Sequence, residues 1–161
     1  MNGVLIIGGC GSGKTWVMKQ IIKSKKLNQK AKVGMVKFLT DGQLAVLGSY
    51  DGTMFEGSDR LSMAVMSDCE KFERVRQAKD LFVVCEGDRF TNQRFIATCK
   101  PYIIRIMDDG AKGRRLRKSN QSERQIQSIK TRVMNIDAHK EVEDSQQALD
   151  FLERILCNEL T

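Results

Sequence analysis

The chain predicts an α/β domain in which helices sandwich a sheet with a parallel core. Three observations predict it. Residues 81–85 and 102–107 are continuous apolar runs, as in parallel strands buried on both faces. Helical stripes separate the strand-like runs, so strands and helices alternate along the chain. A short apolar run at residues 4–8 leads directly into a glycine cluster and then a helical pattern. The length of 161 residues fits a single domain with its own core. A hydrophobic fraction of 41% and a charged fraction of 29% exclude a disordered chain, a collagen-like fibre and a membrane bundle.

Residues 4–8 read as a buried strand. Lys14 to Ser24 reads as a helix, with Trp16, Val17, Ile21 and Ile22 as its apolar stripe. Residues 33–39 and 43–47 are extended runs, and Thr40-Asp41-Gly42 between them is a hairpin signal. Residues 48–57, with Asp51-Gly52, read as a loop. A helix is expected from Ser58 or Asp59, both good N-caps, to about Ala78; Leu61, Val65, Cys69 and Phe72 mark its inner face. The strand at 81–85 is followed by a short helix at 92–99 and the strand at 102–107. A basic block comes next, helical in two pieces broken near Ser119-Asn120. The last helix runs from Ser145 to about Cys157, with Ala148, Leu149, Leu152, Ile155 and Leu156 facing the core.

The formal charge is +7. Residues 111–132 hold eight basic side chains against Glu123 alone, so this block carries the whole net charge and the rest sums to zero. Residues 137–161 hold seven acids against Lys140 and Arg154. A concentrated cationic block implies an anionic partner, either nucleotide phosphates or a nucleic-acid backbone. The plainer alternative is a solvated helix face. The five cysteines are an odd number with no Cys-x-x-Cys pair, and there is one His. That combination argues against zinc and against a disulfide framework, and fits reduced thiols in a cytosol. No apolar run approaches the roughly 20 residues of a spanning helix, so no membrane partner is expected. The run at residues 4–7 is too short for a signal-peptide core.

Gly8-Gly9-Cys10-Gly11-Ser12-Gly13-Lys14-Thr15 fits G-x-x-x-x-G-K-[ST], the phosphate-binding P-loop pattern, between a predicted strand and a predicted helix as the mechanism requires. Glycines allow positive φ and bring backbone N–H groups onto phosphates, and the helix N-terminus adds partial positive charge. Lys14 would reach the β- and γ-phosphates of ATP, and the Thr15 hydroxyl would bind Mg²⁺. Cys10 is read as a small loop residue, not a nucleophile.

In open α/β sheets ligands bind outside the carboxyl ends of strands. The strand at 81–85 runs into Glu86-Gly87-Asp88-Arg89. Glu86 or Asp88 would hold the Mg²⁺ water shell, and Arg89 would contact a transferring or acceptor phosphate. A capping Asp beside a surface Arg is the plainer alternative. Asp59, within Gly57-Ser58-Asp59-Arg60, is either a helix cap or a base that takes the proton of an acceptor hydroxyl. Asp51 is a weaker acceptor-site candidate, since turns favour Asp anyway. Asp41 stands on the same footing, and His139 reads as structural or exposed. After the last long strand, Gly110 and Gly113 would hinge an Arg-rich lid, about residues 110–132. There Arg114 and Arg115 would clamp phosphate and stabilise charge on the transferring group while the lid excludes water.

Taken together, the chain resembles small P-loop kinases of the P-loop NTPase fold over nearly its full length. Asp88-Arg89-Phe90 is similar to the Asp-Arg-aromatic motif of thymidylate-kinase-like enzymes, and Arg114-Arg115-x-Arg117 to the lid of nucleoside monophosphate kinases. Gly48-Ser49-Tyr50-Asp51-Gly52, Gly57-Ser58-Asp59-Arg60-Leu61-Ser62 and Glu86-Gly87-Asp88-Arg89 together resemble a group of phage-encoded P-loop kinases. Some of these phosphorylate 5-hydroxymethyluracil in DNA. Ser58 stands where Thr is expected in much of that group. The resemblance implies that Lys14 and Thr15 bind ATP and Mg²⁺, that Asp59 and Asp88 are the catalytic carboxylates, and that the lid arginines clamp phosphate. It implies a host cytoplasm as the setting. The leading expectation is phosphoryl transfer to the hydroxymethyl group of a modified pyrimidine in DNA, with the base flipped out of the duplex. The first alternative is a deoxynucleoside monophosphate kinase, with Arg60 and Arg89 on the acceptor's phosphate. The second is a nucleotide-dependent regulatory module, against which stand the absence of Asn-Lys-x-Asp and of any Asp-x-x-Gly γ-phosphate sensor.

Overall fold

The computed structural model describes residues 2–52, 56–116 and 118–160, except the side chains of Asp59 and Met63. The first apolar run forms β1 (Gly3–Gly8), buried along its whole length. Its side chains alternate between two cores, Leu5 and Ile7 in one, Val4 and Ile6 in the other. α1 (Lys14–Ser24) follows the glycine cluster. Then come β2 (Gln29–Val33), β3 (Val36–Thr40) and β4 (Leu44–Leu47). α2 (Cys69–Ala78) leads to β5 (Phe82–Glu86), α3 (Gln93–Cys99) to β6 (Tyr102–Ile106). α4 (Ala111–Leu116), α5 (Glu123–Met134), β7 (Lys140–Val142) and α6 (Ser145–Glu159) complete the chain.

The seven strands form one sheet in the order β2-β3-β4-β5-β1-β6-β7. β4, β5, β1, β6 and β7 run parallel, and the β2–β3–β4 edge is antiparallel. One face is covered by α1 and α6, through Val17, Met18, Ile21, Ala148, Leu149, Leu152 and Leu156. The other is covered by α2, α3 and α5, through Cys69, Phe72, Phe95 and Val133. The expected α/β architecture with helices on both faces is therefore present, as a mixed sheet with a parallel core. No helix among the described residues is long and apolar enough to cross a membrane.

Four local expectations need correction. The extended run at 33–39 is two strands, because Gly34, with φ of 57°, turns the chain between Val33 and its cross-strand partner Val36. A side chain at Gly34 would meet the Asp68 carboxylate, which accepts from the Met35 N–H at 2.8 Å. The helix expected from Ser58 is two 3-10 segments, Ser58–Arg60 and Met63–Asp68, before α2 starts at Cys69. Leu61 is extended between them, and Ser62 caps the second by accepting from the Ala64 N–H. Leu61, Val65, Cys69 and Phe72 are nonetheless all buried. Trp16 does not join the apolar stripe of α1; it is 40% exposed and Met18 takes its place inside. β7 was not expected, and His139 before it is structural: its Nδ1 accepts from the Ile103 N–H at 3.0 Å while the ring stacks on Tyr102.

Among the described residues the cysteines are free thiols. Burial raises the pKa of Cys85 and Cys69, and pushes that of Cys99 from 9.0 up to about 12. A thiol held neutral in the fold but ionisable when unfolded adds stability below its unfolded pKa and loses it above. Stability is therefore expected to fall as pH rises from about 9 toward 12, read as a declining urea midpoint. A midpoint flat across that window would contradict it.

Candidate functional site

β1 ends at Gly8 in the middle of the sheet, with β5 on one side and β6 on the other. The connection from β5 to β6 crosses β1, so the loops that follow these three strands meet at a topological switch point. Gly11 and Gly13 hold φ of 85° and 91°, a region that side chains rarely adopt. A Cβ at Gly13 would also come within 2.6 Å of the Ser145 Cβ at the start of α6. The Val17 N–H donates to the Gly13 carbonyl at 3.1 Å, which opens α1. The first-turn N–H groups of this helix, with their partial positive charge, therefore lie at the loop. Lys14 Nζ turns back and donates to the carbonyls of Gly8 at 2.9 Å and Gly9 at 2.8 Å.

Thr15 Oγ1 donates to Glu86 Oε1 at 3.2 Å. Glu86 closes β5 in register with Ile6 and is 3% exposed. Room for its carboxylate comes from Gly57, where a Cβ would stand 2.2 Å from Glu86 Oε1 and 3.5 Å from the Tyr50 hydroxyl. Gly57 is held there by an antiparallel bridge to Ser49. The hydroxyl and carboxylate expected to share a cation are thus brought together from residues 71 apart in sequence. They are hard oxygen donors, suited to Mg²⁺, which binds through one or two protein ligands plus water and phosphate. Among the described residues no group of three or more His, Cys, Asp or Glu is placed to hold a metal ion.

Asp88 lies one turn beyond Glu86, and Arg132 Nη1 of α5 donates to both its carboxylate oxygens, at 2.7 and 2.6 Å. Thr91 Oγ1 approaches Asp88 Oδ1 at 3.3 Å. Arg89 is half-buried beside it. Asp51 and Arg60 form an exposed ion pair at 3.3 Å. Ser58 is fully buried against Gly87, and its hydroxyl has no hydrogen-bond partner among the described residues. The side chain of Asp59 and the whole of Arg117 lie outside the described residues.

The segment expected as a hinged lid is seated on the glycine loop. A Cβ on Gly110 would fall 2.0 Å from the Cys10 carbonyl, and one on Gly113 would fall 2.1 Å from that of Gly11. Arg114 Nη1 donates to the Cys10 carbonyl at 2.7 Å and also to that of Asp109. Arg115 is exposed. The two glycines thus act by permitting backbone contact, a role that the reading of them as hinges missed. Two open grooves lie elsewhere. One of about 490 Å³ is at the amino-terminal ends of the strands near Gln43 and Lys79, and one of about 520 Å³ is on the outer side of α6 at Glu153 and Cys157. Neither touches residues 8–15. The Gly113→Ala variant is expected to lose about 1–3 kcal/mol by overpacking, because a backbone carbonyl cannot yield as a flexible side chain can. An unchanged thermal midpoint would mean that α4 is not seated on the loop.

Comparison with protein-family models, with curated proteins and with solved structures gives no match.

Proposed function

We propose that the chain is an ATP-dependent P-loop kinase. The observation that carries this reading is the loop at residues 8–15, which joins the central parallel strand to α1 at the switch point with Thr15 and Glu86 in contact. The basic segment packed on it and the kinase resemblance of three separate motifs support the same reading.

In this mechanism the N–H groups of residues 11–15 bind the phosphate tail. Lys14 exchanges the Gly8 and Gly9 carbonyls for the β- and γ-phosphates. Thr15 and Glu86 would hold Mg²⁺, which would neutralise charge on those phosphates. Arg114 and Arg115 offer bidentate contacts to the transferring group. Asp59 or Asp88 accepts the proton of the acceptor hydroxyl as its oxygen bonds to phosphorus and the bond to the β-phosphate oxygen breaks, leaving ADP. For Asp88 this requires Arg132 to turn away from the carboxylate.

The proposed acceptor is the hydroxymethyl group of 5-hydroxymethyluracil in DNA, with the basic block on the flanking backbone. The test is transfer of labelled phosphate from ATP to hydroxymethylated DNA, run beside a panel of deoxynucleoside monophosphates. Label on the DNA alone is the expected result. Label on a monophosphate alone would make the chain a deoxynucleoside monophosphate kinase. ATP binding with no transfer to either would favour a regulatory module.

A further inference from the structure

A second cationic surface lies away from the glycine loop. The first forty residues contain eight lysines and no acid, so the zero net charge outside residues 111–132 hides a strong segregation. Lys23, Lys26, Lys30, Lys32 and Lys37 are exposed, and none of the five forms a salt bridge among the described residues. Lys30 and Lys32 are two residues apart on β2 and so share a face. Lys37 on β3 is paired directly with Lys32. Lys30 is paired with Leu39, which packs in the core under α1, so the three hairpin lysines rise on the α1 side of the sheet. Lys23 lies in the last turn of α1 and Lys26 just beyond it, with only residues 27 and 28 between Lys26 and β2.

Two like charges directly opposite on neighbouring strands are destabilising. Edge protection accounts for part of the pattern, because β2 is the outer strand and lysines blunt such edges. It does not account for Lys37, one strand further in, nor for Lys23 and Lys26 at and just after the end of α1. Lysine is a mobile point charge that neutralises phosphate without reading sequence, and release of the phosphates' counterions repays the crowding.

We propose that this lysine-lined sheet edge binds the phosphate backbone of duplex DNA. Choosing DNA as the polyanion rests on the acceptor assigned under the proposed function. The surface would carry duplex beyond the reacting nucleotide, while the block at residues 111–132 serves the site itself.

The test is fluorescence anisotropy with a short labelled duplex, titrated between about 50 and 200 mM salt. Each lost phosphate contact lowers the slope of log K against log salt by about 0.9. The K30Q/K32Q/K37Q variant is expected to flatten the slope by roughly 2 to 3, and K30R/K32R/K37R to restore it. If the glutamine variant self-associates through its edge, Lys37→Gln alone gives the same reading, with a change of about 0.9. A wild-type slope retained by the glutamine variants would overturn the proposal and leave edge protection as the role of these lysines. No duplex binding by the wild type would overturn both this proposal and the DNA acceptor. A lysine-dependent slope without phosphate transfer to hydroxymethylated DNA would uphold this surface and reject the hydroxymethyl acceptor.

Discussion

Lys14→Ala is expected to lower kcat for phosphate transfer by roughly 10²–10³-fold or more, the cost of removing a donor aimed at developing charge. The fold should survive. Lys14 is half-buried and donates to the Gly8 and Gly9 carbonyls, at 2.9 and 2.8 Å, while Gly8 is also held in the ladder of β1. The loss in stability should be about 1–2 kcal/mol, so circular dichroism and a urea titration would report a folded protein. Turnover within about tenfold of wild type would place the chemistry away from this loop.

Glu73→Ala should be the most damaging single change to stability. Glu73 and Arg76 of α2 are 8% and 7% exposed at the side chain and meet at 2.8 Å. Arg76 donates through Nε and Nη2 to the two Glu73 oxygens, and through Nη1 to the Leu81 carbonyl before β5. The bonds to Glu73 hold the guanidinium above its ordinary pKa. Removing the carboxylate strands a buried cation, at about 3–5 kcal/mol. Replacing both residues with apolar ones of similar volume (Glu73→Leu with Arg76→Met) should cost far less, because no charge is left without its partner. Equal losses in the single and double variants would show that the pair matters through packing alone.

What could be read from the sequence was local. The strand, glycine loop and helix at residues 3–24 are contiguous, so one pattern specifies all three. The apolar runs of β5 and β6 are continuous because both their faces are buried, and they stand out for that reason. β7 has three residues, of which only Val142 is buried, and offers no periodicity. β2 reads Gln-Lys-Ala-Lys-Val and looks polar because it is an edge.

The site was legible wherever a residue's role lies in its own motif. Thr15 and Glu86 were both singled out, although only the fold brings them to 3.2 Å. Arg132 carried no signal beyond its charge, and its bond to Asp88 spans 44 residues. Gly110 and Gly113 stand out in the sequence, but their backbone contact with Cys10 and Gly11 is a tertiary fact that spacing does not encode. The helix expected from Ser58 failed because Leu61 is extended and Val65 lies in a 3-10 segment, yet both are buried with Cys69 and Phe72 of α2, so that spacing of buried residues does not require one continuous helix. The lysines of residues 19–37 leave no trace in the net charge because acids elsewhere cancel them.

The central claim is that backbone amides of residues 8–15 bind the phosphate tail of a nucleotide. Amide chemical shifts followed by NMR during titration with ATP and Mg²⁺ test it most directly. Saturable shifts should be largest at Gly11, Ser12, Gly13 and Lys14, and should weaken in Lys14→Ala. Absence of any saturable change, or shifts confined to the groove on the outer side of α6, would contradict the account.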